Sequence, residues 1–253
     1  ADREDIEVTV ASSGAKMNPT DAERVARLIS GCAPNFVVTT SPNASLPGPT
    51  RLREIIVKAG IPLIVVSDAP ARKITKELEE AGVGYVIVLA DAMIGARREF
   101  LDPVEMSLFN ADLFKVLATT GVFNILEVEL DKLIDAFKKG ERPALPRLVV
   151  DKESSAAAAR FTNPYAKAKA MAAYETARRV ADLTTEGCFV IKEWERYTPI
   201  VASGHEMMRA AARLADEARE LEKAGDTVYR APHHRDGSLL SKSRLIEKPQ
   251  KTP

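Results

Sequence analysis

Residues Val83–Asp112, VGYVIVLADAMIGARREFLDPVEMSLFNAD, constrain what this chain can fold into more than any other stretch. An apolar run from Val83 to Leu89 passes without a break into a loop carrying Asp91, Arg97, Arg98, Glu99 and Asp102. A strand this uniformly apolar fits a position buried on both faces, as in a parallel sheet covered by helices. Ligands of such sheets bind just beyond the carboxyl ends of the strands. The charged loop is therefore the first place to look for a site, although a charge run can equally be a solvated ion-pair network.

The rest of the first half supports that reading. Strand candidates stand at Ile6–Val10, Phe36–Thr40 and Pro62–Val66, with helical periodicity between them. Asn18-Pro19 reads as a helix start, Asn as the cap and Pro in the first turn. Gly60 and Gly82 fall where helices hand over to strands. Alternating strands and helices with short connections predict an α/β fold, a parallel Rossmann-like sheet with flanking helices. From Pro103 the pattern is helical, with Gly121 dividing two helices, Gly140 ending the second and ERPALP (residues 141–146) as a linker. Asn163-Pro164 repeats the start signal and an alanine-rich helix follows. Ser203-Gly204-His205-Glu206 fits a capping box, and Met207, Ala211, Leu214, Ala218 and Leu221 mark one apolar face up to Gly225. The expected organisation is an α/β unit over residues 1–102, a helical bundle segment over 103–225 and a short irregular or β C-terminal tail over 226–253.

Equal numbers of basic and acidic residues, 36 of each, argue against a broad nucleic-acid surface. Cys32 and Cys188 are too few and too far apart for a disulfide framework or metal cluster, so no metal is expected and a reducing, cytoplasmic setting fits. No membrane span or signal peptide is read, and no membrane partner is expected. His205 is placed in the capping box, facing solvent or a helix neighbour. The adjacent pair His233-His234 lacks ligand spacing on a helix and is read as surface or interface. Trp194 is expected to pack in the core or bundle.

Four loops follow the four strand candidates: Ala11–Asn18, Thr40–Pro49, Ser67–Lys73 and Ala90–Asp102. In a parallel sheet all four lie along one edge. The first three are rich in Gly, Ser, Asn and Pro, so their backbone amides can face an anion, with Lys16, Arg51, Arg72 and Lys73 nearby. Taken singly, each is equally explained by ordinary turn chemistry. No Gly-x-Gly-x-x-Gly fingerprint occurs, which weakens a nicotinamide cofactor, and no Gly-x-Ser-x-Gly elbow supports a nucleophilic serine.

The strings SSGAKMNP, TSPNASLPGP, SDAPARK and ADAMIGARREFLDPVEM, with FTNPYAKAKAMAAYETARRVADLTTEGCF and APHHRDGSLLSKSRL, resemble the coenzyme F420-dependent methylenetetrahydromethanopterin dehydrogenases of archaeal one-carbon metabolism. Members of that family usually open with a further strand and Gly-containing turn, whereas this chain begins at what would be the second strand. The resemblance implies reversible hydride transfer between coenzyme F420, an 8-hydroxy-5-deazaflavin, and methenyl- or methylene-tetrahydromethanopterin, in methanogenesis or its reverse. It also implies a homo-oligomer, trimer-based or a hexamer. Direct hydride transfer to an already cationic carbon needs no proton at that carbon, so no catalytic acid or base is assigned. Loop position places Gly14, Ala15, Ser41, Asn43, Asp68 and Pro70 on the deazaflavin side. Asp91, Met93, Ile94, Arg97, Glu99 and Asp102 fall on the pterin side, where carboxylates would favour a cationic substrate. The alternatives are a non-catalytic F420- or pterin-binding or regulatory subunit and a nicotinamide dehydrogenase of similar topology.

Overall fold

The computed structural model describes residues 3–14, 17–92, 97, 100 and 102–251. Its sheet has four parallel strands in the order β1 (Val37–Ser41), β2 (Leu63–Asp68), β3 (Gly84–Val88) and β4 (Arg147–Val150). Register runs Val37 opposite Leu63, Ile64 opposite Gly84 and Tyr85 opposite Arg147. All five residues of β3 are buried, as an uninterrupted apolar run requires when both faces are covered.

Two cores result from the alternation of side chains across the sheet. Leu63, Val65, Val83, Tyr85 and Ile87 face a layer made by α1 (Pro19–Gly31), α2 (Pro47–Lys58) and α3 (Thr75–Glu80), which contribute Ala26, Ile56 and Leu78. Val86, Val88 and Val150 face the opposite layer, made by α4 (Pro103–Thr120), α7 (Pro164–Thr185) and α8 (Trp194–Ala224). Each fully buried Val, Leu or Ile contributes roughly 1.5–3 kcal/mol relative to water. Between α4 and α7 lie α5 (Val122–Lys138) and the short α6 (Lys152–Ala158). In α7 and α8 the contact is built from alanines: Ala166, Ala170, Ala173 and Ala177 against Ala211, Ala215 and Ala218, all fully buried. Small side chains let these two long helices run in close contact. After α8 the tail forms one antiparallel pair, β5 (Leu240–Ser241) with β6 (Gln250–Lys251).

Local signals explain most boundaries. Asn18 caps α1, its Oδ1 accepting from Asp21 N–H at 2.9 Å. Asn163 caps α7 through Tyr165 N–H at 2.8 Å. Gly121 separates α4 from α5 at φ +99°, and a Cβ there would lie 2.3 Å from Ser155 O, so the corner admits only glycine.

Four expectations fail. Ile6–Val10 pairs with no strand; Val8 and Val10 are 73% and 84% exposed. An alternating run becomes a strand only if a sheet edge accepts it, and the described sheet begins at β1. The fourth strand is β4, four residues long and directly after the ERPALP linker, which the helical reading of the second half hid. Ser203–Glu206 is no helix start, because α8 begins at Trp194 and runs through Pro199; Ser203 Oγ instead donates to Ile200 O at 2.7 Å. Trp194, the first residue of α8, is 58% exposed rather than packed. No helix among the described residues is long and apolar enough to cross a membrane.

Candidate active site

Parallel strands bring their carboxyl ends to one rim. There the chain leaves β1 at Ser41, β2 at Asp68, β3 at Val88 and β4 at Val150. The segment before α1 joins them: a Cβ on Gly48, in the first turn of α2, would stand 1.9 Å from the Met17 carbonyl oxygen. Only a residue without a side chain permits that approach.

The β1–β2 side of the rim is tied down from below. Ser67 Oγ donates to Ser41 O at 2.6 Å and accepts from Ala44 N–H at 3.0 Å. Arg53, buried in α2, donates to Ala44 O at 3.0 Å and to Glu77 Oε1 at 2.5 Å. Asn43 Oδ1 accepts from Ser45 N–H at 3.0 Å, shaping the turn between Ser41 and α2. Ala44 and Ala71 are almost wholly buried, so the surface above them is low and its backbone accessible.

At its centre stands Asp68, the last residue of β2, only 5% exposed. It occupies the cap position of the 3-10 turn Ala69–Ile74, yet its carboxylate caps no N–H. Burial, and then the nearby charge of Asp91, push its pKa up to about 9. Exclusion of water disfavours the charged form of a buried carboxyl, and a second negative charge nearby adds to that.

The β3–β4 side is held from above by the helical layer. Buried Tyr174 of α7 donates its hydroxyl to Val150 O at 2.5 Å. Burial holds the phenol well above its ordinary pKa, against the opposing effect of the nearby Ala90 and Leu89 amides. Arg97 reaches the other way. Its Nη2 donates to Ile191 O at 2.9 Å, and its guanidinium lies 4.0 Å over the Tyr197 ring. Cation–π contacts of this kind contribute about 0.5–2 kcal/mol. Close by, His205 is buried, stacked 4.3 Å from Phe109 and edge-on to Phe100 at 4.8 Å. Its Nδ1 lies 3.3 Å from Glu105 Oε1, which also accepts from Arg209 at 3.2 Å.

Of the residues expected on the deazaflavin side, Ser41, Asn43, Asp68 and Pro70 share the rim beyond β1 and β2. Gly14, at φ +66°, is exposed and makes a local turn, its N–H donating to Ser12 Oγ at 3.0 Å. On the pterin side Asp91 and Arg97 lie beyond β3. Asp102 serves as the cap of α4, its Oδ1 accepting from Val104 N–H at 2.8 Å. Ala15, Met93, Ile94 and Glu99 lie outside the described residues. His205 lies within α8 rather than in a cap, and of the two surroundings expected, solvent or a helix neighbour, it has the second, buried against α4. Of the pair read as surface or interface, His233 is half-buried with Nε2 2.7 Å from Asp131 Oδ2, and His234 is exposed. Ser67, Arg53, Tyr174 and His205 were not anticipated as neighbours of the rim. Their partners stand 9 to 100 residues away in sequence, and no local pattern marks them.

Comparison with known proteins agrees with this arrangement. The sequence matches the profile of the family described as methylene-5,6,7,8-tetrahydromethanopterin dehydrogenase over residues 1–250. An F420-dependent methylenetetrahydromethanopterin dehydrogenase of Archaeoglobus fulgidus is 56% identical over 250 residues, 99% of this chain and 90% of that protein. The enzyme of the same name from Methanocaldococcus jannaschii is 53% identical over 251 residues, 99% and 91% of the two chains. A solved structure of an F420-dependent methylene-tetrahydromethanopterin dehydrogenase in complex with methylene-tetrahydromethanopterin and coenzyme F420 superposes with a TM-score of 0.95. It is 50% identical, over 98% of this chain and 90% of the other. The family's fold, carried through nearly every residue and ending in the same rim, leaves one assignment: this chain belongs to the methylene-5,6,7,8-tetrahydromethanopterin dehydrogenase family.

Proposed function

We propose that this chain is an F420-dependent methylenetetrahydromethanopterin dehydrogenase, an oxidoreductase that moves hydride reversibly between methylene-tetrahydromethanopterin and coenzyme F420. One observation carries the reading. A protein half identical over the same fold is solved with both molecules bound. The rim of this chain also has the character such a pair requires.

Coenzyme F420, when bound, supplies the ring carbon that accepts or returns the hydride. The residues that would hold it are those around the low rim beyond β1 and β2: Ser41, Asn43, Asp68 and Pro70, with Gly14 and Ala15 on the preceding segment. The fit rests on that surface. The rim floor is kept small by Ala44 and Ala71, and Gly48 lets the Met17 backbone lie directly on α2, so a flat ring meets backbone rather than bulk. Asp91, Met93, Ile94, Arg97, Glu99 and Asp102 form the pterin side. There the negative charge of Asp91 stabilises the methenyl cation, and Arg97, docked on Tyr197 and Ile191, anchors the loop to the bundle. Alignment of donor and acceptor carbons lowers the entropic part of the barrier. A fixed carboxylate accelerates the step only as far as it stabilises the transition state more than the reactant.

The chain works in the cytoplasm as a homo-oligomer, trimer-based or a hexamer. Exposed apolar side chains such as Phe114, Phe189, Val190 and Trp194 favour burial against further copies. Light scattering after size exclusion checks this, and a monomer would refute it.

The decisive assay mixes the purified chain, oxidised F420 and methylene-tetrahydromethanopterin. Bleaching of the deazaflavin absorbance with accumulation of the methenyl product is expected. F420 binding without turnover would instead identify a non-catalytic binding subunit. Asp91→Ala and Arg97→Ala, made singly, are expected to lower kcat/KM for the pterin; normal kinetics in both folded variants would remove this loop from the site.

A further inference from the structure

We propose that the C-terminal tail carries a proton-dependent clasp. His233 lies between Glu127 and Asp131 of α5, and holds the tail there only while one proton sits between His233 and Glu127. Rising pH removes that proton and frees the tail, together with the chain segment before α1 that the same junction secures. The clasp is independent of the functional reading above.

Glu127 and Asp131 stand one turn apart on α5. His233 Nε2 is 2.7 Å from Asp131 Oδ2, and its Nδ1 is 3.2 Å from Glu127 Oε1. The other oxygen of Asp131 accepts from Arg3 Nη1 at 2.8 Å. Arg3 also grips both oxygens of Asp5, through Nε at 2.9 Å and Nη2 at 2.8 Å. Lys138, the last residue of α5, donates to Asp5 Oδ2 at 3.0 Å and to the Asp236 carbonyl at 3.1 Å. Glu4 N–H donates to Arg235 O at 2.8 Å. At Gly237, φ +83°, a Cβ would lie 2.0 Å from Asp5 Oδ2, so only glycine lets the tail turn rest on Asp5. Helix α5, the tail and the segment before α1 thus meet in one junction. Between it and Met17 on α2, residues 6–13 make no hydrogen bond to another element among the described residues.

The geometry asks for one more proton than the neutral ring carries. A carboxylate offers only acceptors, and a neutral imidazole has a single N–H. With both ring nitrogens against carboxylate oxygens, one contact would set lone pair against lone pair. Charge leads to the same place: Arg3 and Lys138 face Asp5, Asp131 and Glu127, one positive charge short of balance. A single added proton settles both. Asp5 and Asp131 already have Arg3, so the contact that needs it is His233 with Glu127. Burial raises the Glu127 pKa; the charge of Asp131 adds to this, while His233 and Arg3 oppose it. The pairs Arg235–Glu4 and His234–Asp236 lie beside the junction in water. On a released tail, an exposed imidazole loses its proton above about pH 6.5 and an exposed Glu is ionised above about pH 4.3. From about pH 7 upward the clasped form therefore holds one proton more than the released form. Clasping is favoured on the acid side and weakens by up to about tenfold per pH unit as pH rises.

A two-stranded hairpin is marginal on its own, so an undocked tail exposes the amides of Arg230, Leu240 and Lys242 that now bond within it. Hydrogen exchange read by mass spectrometry from about pH 6.5 to 9, corrected for the intrinsic rate at each pH, follows the release. In the wild-type chain, protection over residues 1–10 and 228–242 should fall by up to about tenfold per unit above about pH 7, while α7 and α8 keep theirs. In Glu127→Gln the side-chain amide donates to Nδ1 of a neutral imidazole whose Nε2–H serves Asp131, so the tail should stay protected across the whole range. His233→Ala should leave the tail unprotected even at the lowest pH. A wild-type tail whose protection is level across the range overturns the proposal with no variant needed. So does a Glu127→Gln tail that loosens in parallel with wild type, or one that is loose throughout, since the contact would then depend on charge at Glu127 and not on a proton.

Discussion

Replacing Tyr174 with Phe removes one oxygen atom from the seam between the helical layer and the sheet rim, and leaves the ring packing in place. The hydroxyl donates to Val150 O at 2.5 Å, and Tyr174 is wholly buried. Val150 O keeps a second donor, Leu89 N–H at 3.3 Å, so the carbonyl is not orphaned. The cost is then that of one net hydrogen bond, about 0.5–1.5 kcal/mol, and no cavity term adds to it. The expected loss is about 1 kcal/mol, which for a chain of this size lowers Tm by roughly 2–4 °C. Urea and thermal unfolding, at one fixed protein concentration, measure it, with an unchanged m-value showing that the folded and unfolded states keep their compactness. Hydrogen exchange should speed up at Leu89, whose amide shares the Val150 carbonyl with the hydroxyl. A variant melting within about 1 °C of wild type, with Leu89 as protected as before, would show that the hydroxyl does not hold the β3 end of the rim.

Three further perturbations follow from particular contacts. Glu222, buried in the last turn of α8, faces the start of α7; although burial opposes its ionisation, hydrogen bonds from Thr227, the Asn163 amide and Thr162 hold its pKa below the usual range. Its stabilisation is complete above the unfolded pKa and lost as pH falls, so Glu222→Gln should cost about 2–3 kcal/mol at pH 7, shrinking below about pH 4; denaturant titrations at both pH values check this. Gly121→Ala forces a Cβ to within 2.3 Å of Ser155 O and 2.6 Å of Ala159 N at φ +99°. The backbone must move, and a loss of about 3 kcal/mol or more is expected in chemical unfolding. Asp68→Asn should stabilise the chain. The folded pKa of Asp68 is raised by burial, so the group's contribution is intact in acid and lost as pH rises toward about 9. The variant should gain about 1–2 kcal/mol at pH 8 and nothing near pH 3.5, the stability expected when a strained functional group is removed.

Much of the fold could be read from local chemistry. Strands β1, β2 and β3 announce themselves because each is buried on a covered face and keeps its apolar residues in one run. The helix starts at Asn18 and Asn163 and the break at Gly121 are set by bonds within a few residues, so they need no knowledge of the rest of the molecule. Ile6–Val10 and β4 reverse that logic. Both are short apolar runs, VTV and LVV, and nothing within either decides its fate. What decides is an open edge: β3 offers one to Arg147–Val150, while Val8 and Val10 remain in solvent. The sequence Ser203–Glu206 has cap spacing, yet the helix had already begun nine residues earlier, so the serine bonds back along the helix instead.

The site divides along the same line. Asp68 and Asp91 were legible because a strand end in a parallel sheet has a fixed address, and any polar residue there must face the rim. The residues that give the two carboxyls their environment were not legible. Tyr174 is one tyrosine in an alanine-rich helix, and only the approach of α7 to Val150 turns its hydroxyl into a clasp. Ser67 looks like an ordinary strand residue until register places it beside Ser41. His205 is buried by Phe100 and Phe109, a contact set by how α4 crosses α8. Charge alone would have assigned Asp68 an ionised, ligand-steering role. Its raised pKa follows from burial first and the nearby charge of Asp91 second, and the adjacent turn offers its carboxylate no amide. A carboxyl's address can be read from one segment of chain. Its proton depends on every segment packed around it.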